Sequence, residues 1–198
     1  MSLLSFLTKT ELPKEHDALV GREEKIFEPS SHFVNKNIYP INSSIFEKVY
    51  FGMGCFWGAE KYMWEIKGVL FTSVGYGDGF TKNPTYEEVC SGRTAHNEIV
   101  EVIFDPNEID FSILLKAFWE NHDPTQGMRQ GYDIGTQYRS AIYYYNEDQK
   151  NKSIRSKNEY TKSSGLNIVT EISEAKEFYK AEEYHQKYIQ KTGLHCAI

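Results

Sequence analysis

From Lys48 onward, hydrophobic and polar positions fall into regular periods that the first 45 residues lack. Val49, Phe51 and Met53 alternate as a short strand does, Gly54 turns the chain, and Ala59, Tyr62, Met63 and Ile66 then recur at i, i+3, i+4 and i+7. The pattern predicts strand, tight turn, helix, with Cys55 at the turn. Residues 69–76 read as a second strand, followed by a long loop marked by Gly75, Gly77, Gly79 and Pro84. Loops of that length commonly carry function. Residues 97–105 read as a strand, and Asp110 caps a helix whose Phe111, Leu114, Leu115, Phe118 and Trp119 form one apolar stripe. A second glycine-bearing loop, 123–137, leads to a strand at 138–145. A polar helix at 147–162, a strand at 167–172 and a helix near 180–190 complete the chain. Strands and helices alternate irregularly, which favours an α+β two-layer sandwich over a doubly wound sheet.

Residues 1–45 show no sustained period, and Pro13, Pro29 and Pro40 interrupt them. They are read as an extension lying on or beside a domain that spans 46–198 and ends in a mobile tail. Removing residues 1–43 is expected to leave turnover within a few fold. Apolar residues make up 40% and aromatic residues 15% of the 198, enough for a packed interior without a metal or a staple.

Net charge is -6 and the 22 Lys and Arg are dispersed, so the basic footprint of a nucleic-acid binder is missing. Apolar runs are short, such as 99–104 with Glu101 inside, so no membrane span is expected. Residues 1–7 are apolar but lack a basic start, and Glu11 and Glu15 follow, which argues against a targeting peptide. Three cysteines fit a reducing compartment, with the cytoplasm as the expectation.

The chemistry centres on Cys55. A helix N-terminus favours a thiolate through its unpaired amides and aligned dipoles, although a small buried hydrophobe ending a strand would look the same. Phe56 and Trp57 follow directly. Both rings cannot join the face that Ala59, Tyr62 and Met63 already define, so they could line a pocket above the thiol instead of serving as core. Glu98 shares strand parity with Val100, Val102 and Phe104, whereas Glu101 marks the opposite face as the wetter one. Glu98 is therefore expected to point inward, where burial favours the protonated carboxyl, able to donate. The alternative is a strand-end glutamate curling back to solvent.

Tyr86, Asp133 and Tyr138 lie in or at the edge of the glycine-bearing loops, where they could orient a small polar ligand or serve as surface and turn residues. Cys196, third from the end beside His195, sits on a tail that could carry a second thiol to the first, or could be idle. Cys90, between Val89 and Ser91, reads as structurally inert. The six histidines are scattered and no C-x-x-C or H-E-x-x-H occurs, so neither metal nor cofactor is expected. A thiol hydrolase would need His96, His122 or His185 to fold beside Cys55, with no local signature to support it.

The string Gly54-Cys55-Phe56-Trp57-Gly58 resembles the active-site signature of the A-class peptide methionine sulfoxide reductases. The resemblance extends through Asn83-Pro84-Thr85-Tyr86, Val89-Cys90-Ser91-Gly92, 96–98, 118–130 and 135–142, and covers about residue 49 to the C-terminus. It implies a ferredoxin-like two-layer sandwich with a mixed sheet. It also implies Cys55 as nucleophile, Phe56 and Trp57 as a methyl pocket, and Glu98 as acid. Tyr86, Tyr138 and, through water, Asp133 would hold the sulfoxide oxygen. Many relatives carry a glycine-rich tail with two recycling cysteines. Here only Cys196 is available, so a relay between tail thiols is in doubt while direct resolution by Cys196 is not.

A sulfoxide sulfur accepts a nucleophile poorly unless its oxygen is protonated, so Glu98 and Cys55 explain each other. The resemblance then implies a Cys55 sulfenic acid, a Cys55–Cys196 disulfide and recycling by thioredoxin or a similar dithiol. It assigns the S epimer, free or in proteins. The expected partners are that reductant, oxidised proteins and free methionine sulfoxide, with no nucleic acid and no membrane, and the chain is expected to act as a monomer. A thiol peroxidase would also cycle its thiol, but has no use for a methyl pocket. A non-catalytic binder of oxidised methionine would have no use for Cys55, Glu98 and Cys196 together.

Overall fold

The alternating residues that open the periodic region become the middle of a sheet. In the computed structural model, which describes residues 9–26, 33–34, 37–38 and 45–194, strand β1 (Glu47–Met53) leads into helix α1 (Phe56–Trp64) and on to β2 (Val69–Gly77). After the short helix α2 (Tyr86–Cys90), β3 (Asn97–Phe104) inserts between β1 and β2, antiparallel to both. Helix α3 (Phe111–Glu120) carries the chain to β4 (Ser140–Tyr144), antiparallel to β1 on its other side. Helix α4 (Glu147–Ser164) precedes β5 (Glu171–Glu174), which runs parallel to β4. Strand β6 (Phe178–Lys180) pairs antiparallel with β2, and α5 (Tyr188–Thr192) follows.

The sheet order is thus β6-β2-β3-β1-β4-β5. Its four central strands with α1 and α3 form two split β-α-β units, the ferredoxin-like arrangement expected, and the parallel β4–β5 pair makes the sheet mixed.

Helices α1 and α3 cover the face that carries Val49, Phe51 and Met53 of β1, and Val100, Val102 and Phe104 of β3. The predicted stripe of α3 is buried throughout. Each such side chain contributes roughly 1.5–3 kcal/mol by leaving water. Asp110 caps α3 by accepting from Ser112 N at 2.8 Å.

Several expectations need correction. The opposite face of β3 is not wet. Glu101 is 3% exposed, accepts from Ser73 Oγ at 2.8 Å and faces Lys180 Nζ at 3.5 Å. Residues 86–90 form a helix, not loop, because Thr85 and Glu88 close a reciprocal cap. The helix expected near 180–190 is not continuous: 178–180 form a strand and a short helix begins only at Tyr188. Between them Lys187 adopts φ +52, which a continuous helix could not contain. Strand β5 begins at Glu171, later than read, because its start is set by pairing with Ala141.

The described part of the extension lies against the domain. Leu19 N donates to Arg93 O at 3.0 Å and Arg22 N to Lys82 O at 3.1 Å. These are backbone bonds and leave no side-chain period to read. Among the described residues no helix is long and apolar enough to cross a membrane.

Candidate active site

Gly54, at φ +85, makes the turn between β1 and α1, a conformation that side chains disfavour. The next residue, Cys55, occupies the N-cap of α1 with φ -53 and ψ 118 and is partly exposed. The first amide of the helix, Phe56 N, donates to Glu98 Oε2 at 3.2 Å. Glu98 is 1% exposed and lies opposite Tyr76 in the β2–β3 register, so it points inward as its parity predicts. A carboxyl is therefore bonded to the backbone directly after the thiol.

The aromatic pair divides its work. Phe56 is buried, with its ring 6.0 Å from Tyr76 and 5.1 Å from His185. Trp57 stays partly exposed, its ring stacked on Tyr188 at 3.8 Å, and its Nε1 donates to His185 Nδ1 at 3.0 Å. Thus one ring is buried directly after the thiol and the other stays partly exposed.

Tyr86 opens α2, its ring 4.5 Å from that of His185. Burial, Glu98, Cys90 and Cys55 all push its hydroxyl pKa up. Tyr138 ends a single 3-10 turn, and burial followed by Glu98 raises its hydroxyl in the same way. Both phenols stay protonated throughout the neutral range and remain hydrogen-bond donors. Asp133 stands exposed on the rim. Desolvation raises its carboxyl, and its charge acts on Tyr138. Of the predicted residues, Cys55, Phe56, Trp57, Glu98, Tyr86 and Tyr138 come together, with Asp133 at the margin. Cys196 lies outside the described residues.

Cys90 is closer to this cluster than its sequence reading implied. It ends α2, and burial raises its thiol pKa while Tyr86, one turn earlier, interacts with it. A thiol held protonated is a weak nucleophile.

Sequence reasoning missed the segment 182–188. Glu182 accepts from Tyr76 Oη at 2.8 Å and from Tyr86 N at 3.0 Å, joining β2 to α2. His185 touches Phe56, Trp57 and Tyr86. Burial lowers its pKa to about 4, so it is neutral and accepts from an indole, an unsuitable base for the thiol. Gln186 ties the segment to β2, accepting from Val74 N at 2.9 Å and donating to Val74 O at 2.8 Å. Lys187 is anchored by Glu60, Thr72 O at 2.6 Å and Thr72 Oγ1 at 2.7 Å. The readable signal was the density of Tyr184, His185 and Tyr188 in an otherwise polar run. His96 and His122 serve the backbone elsewhere, on Thr81 O and Phe118 O, each at 2.7 Å.

Known proteins share this fold and much of this sequence. A family model described as peptide methionine sulfoxide reductase matches residues 47–197. The chain is 53% identical over 196 residues to "Peptide methionine sulfoxide reductase MsrA 2" of Nostoc sp., covering 96% of this chain and 88% of that one. The alignment therefore takes in most of the extension as well. Among solved structures, methionine sulfoxide reductase A of Corynebacterium diphtheriae matches at TM-score 0.81 and 42% identity, covering 95% of this chain and 99% of that one. Mxr1 of Saccharomyces cerevisiae in reduced form matches at TM-score 0.74 and 32% identity, covering 79% and 91%.

Proposed function

Because this chain belongs to the A-class peptide methionine sulfoxide reductases, we propose that Cys55 is its nucleophile and Glu98 the acid that protonates the sulfoxide oxygen. The chain is an enzyme that reduces methionine sulfoxide to methionine. Such enzymes serve one sulfoxide epimer each, and the A class takes the S form.

The observation that carries the assignment is the bond from Phe56 N to Glu98 Oε2. It supports an acid held beside the thiol by the same turn of backbone. As Cys55 attacks sulfur, Glu98 gives its proton to the oxygen, while Tyr86 and Tyr138 donate to it and Asp133 acts through water. The Sγ–S bond forms as the S–O bond breaks and the protonated oxygen leaves as water; water then adds its oxygen to Sγ, the Sγ–S bond breaks, the released protons return to Glu98 and the solvent, methionine departs, and Cys55 is left as a sulfenic acid. Phe56 and Trp57 receive the methyl group of the substrate, an apolar part that a peroxide lacks.

Recycling requires two electrons. Cys196 attacks the sulfenic sulfur, water leaves, and a Cys55–Cys196 disulfide forms. A dithiol such as thioredoxin reduces it and is itself oxidised. The reacting side chains lie within residues 46–198, and the chain works as a monomer in the cytoplasm, where reduced dithiols are plentiful, on oxidised proteins and free methionine sulfoxide.

The test is dithiol-dependent reduction of a methionine sulfoxide peptide by the native chain and by Cys55→Ser. The native chain should turn over and a folded Cys55→Ser protein should not. Turnover by the variant would overturn the assignment.

A further inference from the structure

We propose that Arg22, reaching from the N-terminal extension, is a positioning residue for Tyr86, so that the extension acts as a clamp on the active-site helix α2. The proposal rests on the reading of Tyr86 as a donor to the sulfoxide oxygen.

Helix α2 has five residues, too few to hold itself in water. Its shape comes from the cap in which Glu88 Oε2 accepts from Thr85 N at 2.9 Å and Thr85 Oγ1 accepts from Glu88 N at 3.2 Å. Tyr86 lies between those two residues. Arg22 grips the same carboxylate, Nη1 donating to Oε2 at 3.0 Å and Nη2 to Oε1 at 2.7 Å. Nη1 also reaches Asn83 O at 2.6 Å, and Asn83 Nδ2 returns a bond to Arg22 O at 2.8 Å. One guanidinium therefore holds both the cap of α2 and the loop that enters it.

The backbone around Arg22 is fixed to the same region. Thr81 Oγ1 donates to Leu19 O at 2.7 Å, and Leu19 N bonds to Arg93 O on the far side of α2. Gly21, at φ +76, packs so closely on Lys82 that an added Cβ would collide with its carbonyl. An exposed ion pair alone would mean little. Here the carboxylate is only 25% exposed, engaged at both oxygens by a planar fork, and shared with the helix cap. The bond from Arg22, with the cap, lowers the Glu88 pKa and so favours the charged carboxylate that the fork grips. On the opposite side, Glu182 holds Tyr86 N. Tyr86 is thus fixed between Glu182 and the clamp.

The test is a double-mutant cycle on the single-turnover release of methionine at saturating sulfoxide, which bypasses recycling. Arg22→Ala should slow release about fivefold or more in the native background and add nothing to Tyr86→Phe. Arg22→Lys keeps the charge but not the fork and should fall between. Equal slowing in both backgrounds, or no slowing by Arg22→Ala, overturns the proposal. If Tyr86→Phe alone leaves release unchanged, the reading of Tyr86 fails, and the positioning role fails with it. Should Arg22→Ala not fold, Arg22→Lys replaces it in the cycle, and equal slowing in both backgrounds, or none, overturns the proposal in the same way.

Discussion

Phe56 N donates to Glu98 Oε2 at 3.2 Å, across 42 residues of sequence. The bond ties the helix that begins after the thiol to a strand three elements later, so one contact fixes the acid beside the turn that carries the thiol. Glu98→Gln keeps the shape and the bond but removes the acidic proton. Single-turnover methionine release should slow by roughly two to four decades, with little change in melting temperature. An unchanged release rate would remove Glu98 from the chemistry.

The two remaining cysteines can be tested apart. Cys90 is half-buried on α2 with its thiol pKa raised by burial, so Cys90→Ser should cycle normally with thioredoxin. Cys196→Ser should release about one equivalent of methionine and stop at sulfenic acid. Mass spectrometry after one turnover should find Cys55 joined to Cys196; a Cys55–Cys90 bridge would refute this.

Lys187 and Glu60, 7% and 0% exposed, form a buried ion pair beneath α1, and Lys187 N also donates to Glu60 Oε2 at 2.9 Å. Lys187→Met alone leaves a buried carboxylate without its cation and should cost about 3–5 kcal/mol in denaturant unfolding. Adding Glu60→Gln should recover much of that loss. If the single and double variants are equally unstable, the pair is not what holds the 182–188 segment.

His122 is buried, bonds Phe118 O and contacts Ser140 Oγ at 2.7 Å, and its pKa is lowered by burial to about 4. In the unfolded chain it titrates near 6.5. The unfolded state therefore binds the proton first, and the stability present above pH 6.5 is lost as pH falls toward 4. The slope from this one group approaches about 1.4 kcal/mol per pH unit. Denaturant unfolding at pH 7, 5.5 and 4.5 should show a smaller decline in His122→Gln; parallel declines would show that His122 is not responsible.

Local pattern determined much of this protein. Alternation in 49–53 and 98–104, the stripe of α3 and the glycine before Cys55 are consequences of period and backbone freedom, which depend on near neighbours only. The inward aim of Glu98 follows from the same parity. The cap at Thr85 and Glu88 was also local, and α2 could have been read from it.

Other features were decided only by tertiary contacts. Glu101 is buried because Ser73, Lys48 and Lys180 from three other strands satisfy it, and no period along β3 contains those partners. The segment 182–188 leaves its helical pattern because Gln186 and Lys187 gain more from β2 and Glu60 than a helix would offer them. That turn brings His185 and Tyr188 to Trp57. The described part of the extension is held by backbone bonds and polar side chains such as the Arg22 fork, which impose no hydrophobic period. A hydrophobic period records burial against a face, whereas a hydrogen bond between residues 22 and 88 leaves no trace until the fold places them side by side.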